Sequence, residues 1–520
     1  MNWIPATLDL TNQAHYVWAL LPEIFLSLWL MGLLLADVWQ KGSRSAPSGR
    51  WVPWAAITGL VITAVLNTLL FGVTDASEGG MVAVDGFRLM VNYVFLLAAA
   101  LSILISVGYL DRRNINRAEF HALVLCATLG MMLMAGARDL MLMFIGLEVM
   151  SVSIYVLVGF DRLEARSTEA ALKYFLLGAF ASAFFLYGIA LVFGATGSTN
   201  VRTLADLLLN ATDRSPMLLG GMALLMIGFA FKVAAMPFHM WTPDAYEGAP
   251  TPVTALMATG VKAAAFAAFI RVFLGAFRGY WSEEWGWPVF ILAAITMIGG
   301  NLVALTQGSV KRMLAYSSIA HAGYLLAALL AGANGGTAAF LFYLLVYTLM
   351  TAGAFGIVIA NARGGEEKVT LEDYAGLAHQ KPVLAALFSV FLLSLAGFPL
   401  TAGFLGKLYI LRALVNTGVP QLAVILVLAS LVSYFYYLRV IVVMYMRPAR
   451  TADEHREAGL SGPALFGVGT AAAAVVLLFF LAGVKYGPIE QARIGEAAFD
   501  AWVAGGVGQT PQQAGVPAAP

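Results

Sequence analysis

Five ionisable side chains interrupt long apolar runs. They are Glu148 in MLMFIGLEVMSVSIYVLVGF, Lys173 in EAALKYFLLGAF, Lys232 and Lys262 within FAFKVAAMPFHMWTPDAYEGAPTPVTALMATGVKAAAFAAFI, and Lys407 in GFPLTAGFLGKL. A charge held in hydrocarbon costs several kcal/mol, about 3 on the gentlest scales, and spanning a membrane does not call for that cost. Two plainer roles compete with function. A lysine near a span end snorkels to the interface, and for Lys173 that reading weighs as much as function. A buried Glu–Lys pair can hold helices together, yet such pairs are often replaceable by apolar residues without loss. Glu148, Lys232, Lys262 and Lys407 each have about two turns or more of apolar sequence on both sides, which favours function.

The chemistry open to them is proton transfer. Burial disfavours a charged group, and a neighbouring opposite charge restores it. A lysine whose partner can move away therefore holds its proton with two affinities, as a pump requires. Lysines joined by water and hydroxyls make a relay with coupled titrations. His239 in MPFHMW and His321 in LAYSSIAHAGY extend the set, because histidine titrates near neutrality. For His239 the competing role is a packed histidine bracing a broken helix. His15, His121, His379 and His455 read as loop or interface residues. Arg88, Arg271, Arg412 and Arg439 lie nearer span ends and read mostly as snorkelling. Asp244 and Glu247, in TPDAYEGAPTP, follow a helix break. Gating an entrance is one reading for them, and capping the next helix is the plainer one.

The elements that must position these groups are membrane helices. The 520 residues are 60% hydrophobic and 11% charged, with a mean hydropathy of +0.82. A soluble domain averages about 25% charged. The fold class is an all-α polytopic membrane protein. A net charge of +1 implies no nucleic-acid partner. The single cysteine, Cys126, cannot form an internal disulfide or a cysteine-ligated cluster. Spans need about 20 apolar residues. By that rule about fourteen are expected: 16–39, 52–72, 86–110, 119–137, 139–160, 169–194, 217–248, 251–277, 286–306, 310–332, 334–361, 382–416, 421–446 and 462–485. The first is too long for a signal-peptide core and reads as retained. Two others are overlong and should break, 217–248 near Pro237 and 382–416 near Gly397-Phe398-Pro399. Broken helices beside lysines are how transporters build ion paths at mid-depth.

Each broken helix carries a lysine and a proline, Lys232 with Pro237 and Lys407 with Pro399, and about five spans lie in each of two blocks, 119–277 and 286–446. An odd count inverts consecutive copies, the plan of many transporters. The expected organisation is helices 1–3 over 1–118, a first five-helix repeat over 119–277, a second inverted repeat over 278–446, and a last helix with a flexible tail over 447–520. Loop lysines and arginines are biased better than two to one toward the face holding Arg112, Arg113, Lys311, Arg312 and Lys381. That face is expected to be cytoplasmic, with both termini outside. Residues 197–213 read as a small amphipathic helix on the outer surface. The tail from Gly487 is expected to be loosely held. GFLGKL lacks the first glycine of a phosphate loop, threonine standing at 401, and no strand-led GxGxxG, haem or zinc spacing or convincing catalytic triad is present.

The string FKVAAMPFHMWTPDAYEGAPTPVTALMATGVKAAAF closely resembles the signature of the antiporter-like membrane subunits of respiratory complex I. The likeness runs from about the first span through GFPLTAGFLGK. Within that family it is similar to the N type. An L type would add a long lateral helix, and an M type carries glutamate where GFLGK has Lys407. The resemblance implies two inverted five-helix units with broken helices at spans seven and twelve. It implies that Glu148 and Lys232 are the family's charged pair, Lys262 the central lysine, Lys407 the distal lysine and Lys173 the additional lysine of span six. His239 and His321 would lie on the polar axis between them. It further implies a bacterial inner-membrane location, M-type and K-type neighbours, and no cofactor in this chain. FMN, iron–sulfur clusters and quinone would belong to partner subunits. A subunit of a multi-subunit cation/proton antiporter or membrane-bound hydrogenase, and a non-conducting scaffold of the membrane arm, are the alternatives.

Overall fold

Apolar length and proline placement set the helix boundaries. The structure, a computed structural model, describes residues 5, 7–10, 12–41, 51–75, 80–209, 215–280, 284–332, 335–362, 367–449, 459–482 and 487–503. The N-terminal block holds α1 (Gln13–Ala19), α2 (Leu21–Lys41), α3 (Val52–Thr68), α4 (Gly86–Ser106) and the short α5 (Tyr109–Arg112). A two-residue strand, β1 (Thr7–Leu8), pairs in parallel with β2 (Thr74–Asp75). Next come α6 (Ala118–Gly136), α7 (Leu140–Val158), α8 (Ala165–Thr196) and the surface helix α9 (Val201–Leu209). The broken pair α10 (Pro216–Val233) and α11 (Thr242–Gly248) follows. The span Thr251–Ala276 is made of α12 (Thr251–Leu256) and α13 (Lys262–Ile270), with π-helical turns at Met257–Val261 and Arg271–Ala276. The third block holds α14 (Gly286–Leu305), α15 (Val310–Ala331), α16 (Gly336–Ala360), the small α17 (Leu377–Gln380), the broken pair α18 (Pro382–Ala396) and α19 (Ala402–Asn416), and α20 (Pro420–Met446). The chain closes with α21 (Gly462–Leu481) and α22 (Pro488–Val503).

Among the described residues, twelve helices are long and apolar enough to cross a membrane. The shorter apolar α3 and the broken α18–α19 bring the spans to fourteen, as the hydropathy implies. Proline occupies the first turn of α3, α10, α12, α18, α20 and α21, where its missing N–H costs nothing. Asp85, Asp139, Ser309 and Ser461 cap α4, α7, α15 and α21 through side-chain oxygens.

Helix pairs approach closely at glycine, as expected where lipid gives no hydrophobic drive to association. A Cβ on Gly130 of α6 would fall 2.4 Å from the Met150 nitrogen of α7, and one on Gly300 of α14 would fall 2.8 Å from the Ala320 nitrogen of α15. The span Thr251–Ala276 is buried along its whole length, α15 and α16 nearly so, while α2, α20 and α21 bury only about a third of theirs or less. The core of the molecule is therefore the seam between the two helix blocks.

Two expectations change here. The tail read as loosely held forms α22 over Pro488–Val503, which packs on α4 and α16 and buries Phe499 against Phe87. Tertiary packing orders a segment whose composition reads as linker. Arg88 and Arg271 do not snorkel. Arg88 is buried against Glu23 at 2.7 Å, and Arg271 is wholly buried with its guanidinium 2.8 Å from Asp85. Residues 504–520, His455 and the loop charges Arg44, Arg50, Arg214, Arg363, Arg450, Arg456 and Lys485 lie outside the described residues.

Candidate functional site

Lys232 sits in the last turn of α10, and the helix stops one residue later. Ala234 takes a left-handed conformation (φ 61°, ψ 39°), and the Ala235 N–H closes on the Ala230 carbonyl at 2.8 Å. Trp241 Nε1 donates to the freed Phe231 carbonyl at 2.9 Å. The break is thus satisfied by protein, as a membrane interior requires. Lys232 Nζ donates to Ser151 Oγ at 2.7 Å and to the Tyr155 hydroxyl at 3.3 Å. Glu148, one turn before Ser151 on α7, accepts from Ser182 Oγ of α8. The expected Glu148–Lys232 pair is therefore not in direct contact. Ser151 lies between the two along the face of α7.

Aromatic rings continue inward from there. Tyr155 meets Tyr174 edge-on at 4.8 Å, Tyr174 stacks on Trp241 at 4.4 Å, and Trp241 meets Tyr246 at 6.1 Å. Lys262 Nζ stands 6.0 Å from the centre of the Tyr246 ring.

Lys262 begins α13 immediately after a π-helical turn. Such turns rotate the register of a helix and recur at functional sites. Its Nζ donates to Ser318 Oγ at 2.6 Å and to the Ser318 carbonyl at 2.8 Å. The Tyr347 hydroxyl donates to the same Ser318 Oγ at 2.8 Å. One turn along α15, His321 Nδ1 bonds the Tyr343 hydroxyl at 2.6 Å and Nε2 bonds the Tyr437 hydroxyl at 3.3 Å. Tyr437 also bonds Ser317.

Lys407 sits on α19 but reaches back to the end of α18. Its Nζ donates to the carbonyls of Leu395 at 3.0 Å and Ala396 at 2.9 Å, over the Tyr324 ring at 4.9 Å. Gly397, with φ +86°, makes the turn that exposes those carbonyls. A Cβ on Gly406 would fall 2.3 Å from Tyr343 Cδ2, so glycine there lets Lys407's helix lie against the tyrosine that holds His321.

Lys232, Lys262, His321 and Lys407 are all buried. Among the described residues, the three lysines meet hydroxyls and carbonyls, and none has a carboxylate at ion-pair distance. Buried Arg88 and Arg271 behave oppositely, each facing a carboxylate. Arg88 and Arg271 have the contacts of structural ion pairs. The three lysines instead donate only to neutral hydroxyls and carbonyls among the described residues.

Other residues fall elsewhere. Lys173 has a side chain 47% exposed and pairs with Glu169 at 2.7 Å and Asp244 at 3.1 Å. His239 lies on the half-buried loop of the break, beside exposed Pro237 and Met240, and is not brought to the buried line. His121 is not at an interface: it is fully buried in α6, and neither ring nitrogen finds a partner among the described residues. Asp244 and Glu247 do not cap the next helix. Both pair with Arg312 of α15, at 3.0 and 2.7 Å, tying α11 to the following block. Glu367 makes a second tie, accepting from Lys311 at 2.8 Å, from the Tyr109 hydroxyl at 2.7 Å and from Thr251. Burial raises its carboxyl, and Lys311 outweighs that to leave it below the usual range. Among the described residues, no three or more His, Cys, Asp or Glu side chains are grouped to hold a metal ion.

Sequence reasoning missed the tyrosines. Tyr343 and Tyr347, four residues apart on α16, share a face with Ser318 and His321. That i,i+4 spacing was the available signal.

Residues 137–433 match the family described as NADH:quinone oxidoreductase/Mrp antiporter, TM. NADH-quinone oxidoreductase subunit N of Trichlorobacter lovleyi is 48% identical over 82% of this chain and 87% of its own. A chain of respiratory complex I from Thermus thermophilus, solved with bound aureothin, is 37% identical with a TM-score of 0.73, covering 89% of this chain and 98% of that one. A chain of the Mrp complex from a Dietzia species shares the fold, at TM-score 0.80 and 20% identity over 95% of this chain and 100% of that one.

Proposed function

The chain belongs to the family of antiporter-like membrane subunits of NADH:quinone oxidoreductase and Mrp complexes, and from that premise we propose a specific route by which it moves protons. It is a proton-translocating membrane subunit of NADH:quinone oxidoreductase, a multi-pass protein of the bacterial inner membrane. The route enters near Glu148 and Lys232, crosses Tyr155, Tyr174 and Tyr246 to Lys262, and continues through Ser318, Tyr347 and His321 to Lys407. Electrons pass in partner subunits that carry the flavin, the iron–sulfur clusters and quinone. This chain answers them by shifting charge along the line. The arginine- and lysine-rich face is cytoplasmic, both termini are outside, the two helix blocks are inverted copies, and the flanking neighbours are of M and K type.

The observation that carries the route is the set of three buried ammoniums without carboxylate partners among the described residues. A scaffold would pair its buried charges, as Arg271 and Arg88 are paired. Lys232→Ala and Glu148→Ala are expected to leave the complex assembled and NADH-driven proton pumping cut. Normal pumping by the assembled variants would leave only the scaffold reading.

A further inference from the structure

Helix α22 closes a cavity of about 140 Å³ on the outer end of the second block. Tyr409, Arg412 and Asn416 of α19 line one wall, the start of α16 at Gly335 and Ala338 lines another, and Arg493 and Glu496 of α22 complete it. Glu496 Oε1 accepts from the Ala338 N–H at 3.3 Å. Arg412 and Arg493 are exposed, so the cavity opens to the aqueous side. A space of this size and polarity holds several waters.

The cavity lies close to the buried line. Lys407 and Arg412 are five residues apart on α19, about 7.5 Å of helical rise. Tyr343, which bonds His321, and Ala339, which lines the cavity, are four residues apart on α16, about 6 Å. Tyr409, which lines the cavity, meets Phe342 edge-on at 5.4 Å.

We infer that this cavity is the outward exit of the route and that Glu496 is the group that takes the proton from the Lys407 end and passes it to outside water. The inference rests on the relay reading above. In the transfer an N–H bond of the Lys407 ammonium breaks and a carboxylic O–H forms on Glu496, leaving a neutral amine. The carboxyl then releases its proton to cavity water, and no other bond changes. The two guanidiniums at the mouth oppose return of a cation from outside. The groups facing Glu496 are Arg412 and Tyr409 from α19, Arg493 and Asp500 from its own helix, and backbone N–H groups at the start of α16. α4 presents apolar Phe87 and Met90 to the same helix. Burial pushes the Glu496 carboxyl up to about 7, against the Ala338 N–H and with the charge of Asp500. A carboxyl poised there both accepts and releases at working pH.

The test uses the whole complex in proteoliposomes. Glu496→Gln is expected to lose proton release while quinone reduction by the uncoupled complex continues, and Glu496→Asp to keep it. Wild-type pumping should change with outer pH around 7, and Glu496→Gln should lose that dependence. Pumping by Asn416→Cys should fall sharply on labelling from outside with an impermeant charged thiol reagent, compared with the same variant unlabelled. Wild-type pumping by Glu496→Gln at every outer pH, or by the fully labelled cysteine variant, overturns the exit. Lys407→Ala separates the two readings. If it pumps normally, the relay itself fails and the exit with it. If it stops pumping while Glu496→Gln does not, only the exit falls.

Discussion

The two broken helices place their lysines on opposite sides of the break. Lys232 precedes its break and Lys407 follows its own. In space the difference disappears. Lys232 occupies the last turn of α10, and Lys407 reaches back to the last carbonyls of α18. Both lysines are therefore brought to the negative end of the half-helix before the break, which carries roughly half an elementary charge, the Lys407 ammonium on its carbonyls and the Lys232 ammonium turned to hydroxyls of α7. What was kept is an electrostatic position, reached from either direction along the chain. The surroundings do differ. Lys232 has hydroxyls and, one turn away, an acid. Lys407 has carbonyls and an aromatic face.

The sharpest way to break the comparison keeps the charge and removes the proton exchange. Arginine holds its proton under all conditions in proteins. Lys232→Arg and Lys407→Arg should therefore each lose proton transfer by about a hundredfold or more, as for removal of a general acid–base group. The measurement is proton uptake per NADH oxidised by the reconstituted complex. Retained pumping in either would mean that side needs a fixed cation only, and the two breaks would no longer be equivalent.

The next largest effect separates the breaks by how they turn. A Cβ on Gly403 would fall 1.9 Å from the Ser394 carbonyl oxygen, so Gly403→Ala must push α19 away from α18. Overpacking of this kind costs about 1–3 kcal/mol. The first break instead strains a residue with a side chain, Ala234, at φ 61°. Ala234→Gly relieves roughly 1–2 kcal/mol of left-handed strain and loses about 0.5–1 to chain entropy. Thermal unfolding of the solubilised complex should show the second break weakened by Gly403→Ala and the first slightly strengthened by Ala234→Gly. Equal and opposite responses are not expected, because only the second relies on close backbone contact.

The lysines were legible because a charge inside an apolar run shows its cost in one dimension. Their partners were not. A tyrosine in a membrane span is ordinary until its neighbours are known, and Tyr155, Tyr343 and Tyr347 show their use only once α7, α10, α15 and α16 are assembled. Arg88 and Arg271 were misread for the same reason. Their carboxylates, Glu23 and Asp85, lie 65 and 186 residues away. His121 sits near a span end by count but inside the bundle by packing. α22 has the small-residue composition of a tail, and only its contacts with α4 and α16 order it.

A third test reads pH at the edges of the two blocks. Glu367 is held below its ordinary value where it joins α5, α12 and α15. A depressed carboxyl contributes stability that is present above its unfolded value, about 4.3, and is lost as pH falls through the folded value. Glu496 is raised to about 7, so its helix is held best in acid. That contribution falls as pH rises from the unfolded value through about 7. Limited proteolysis should release α22 more readily at pH 8 than at pH 5.5 (about one unit above and one and a half below that value). The Glu367 tie should loosen only well below pH 4 (roughly the unfolded value and lower). Inverted responses would mean that the electrostatics of the Glu367 tie and of Glu496 have been exchanged.

The smallest expected effect concerns Lys173, which the resemblance counts with the buried lysines and which stands half-exposed on α8. Its ammonium shares Asp244 with Arg312 and also meets Glu169, with nearly half of the side chain exposed. Pairs this exposed are worth about 0–1 kcal/mol. Removing Lys173 leaves Asp244 still paired to Arg312, and Arg312 still paired to Glu247, so the tie between α11 and α15 survives. No member of the buried line loses a hydrogen bond. Lys173→Ala should therefore change pumping far less than Lys232→Arg, measured in the same vesicles. Asp244→Asn, which weakens the ties to both α8 and α15 at once, should cost more than Lys173→Ala. If Lys173→Ala instead matches Lys232→Arg, the route enters through Lys173 and Asp244, and the first block carries a charged entrance that the second, with its carbonyls, has no counterpart for.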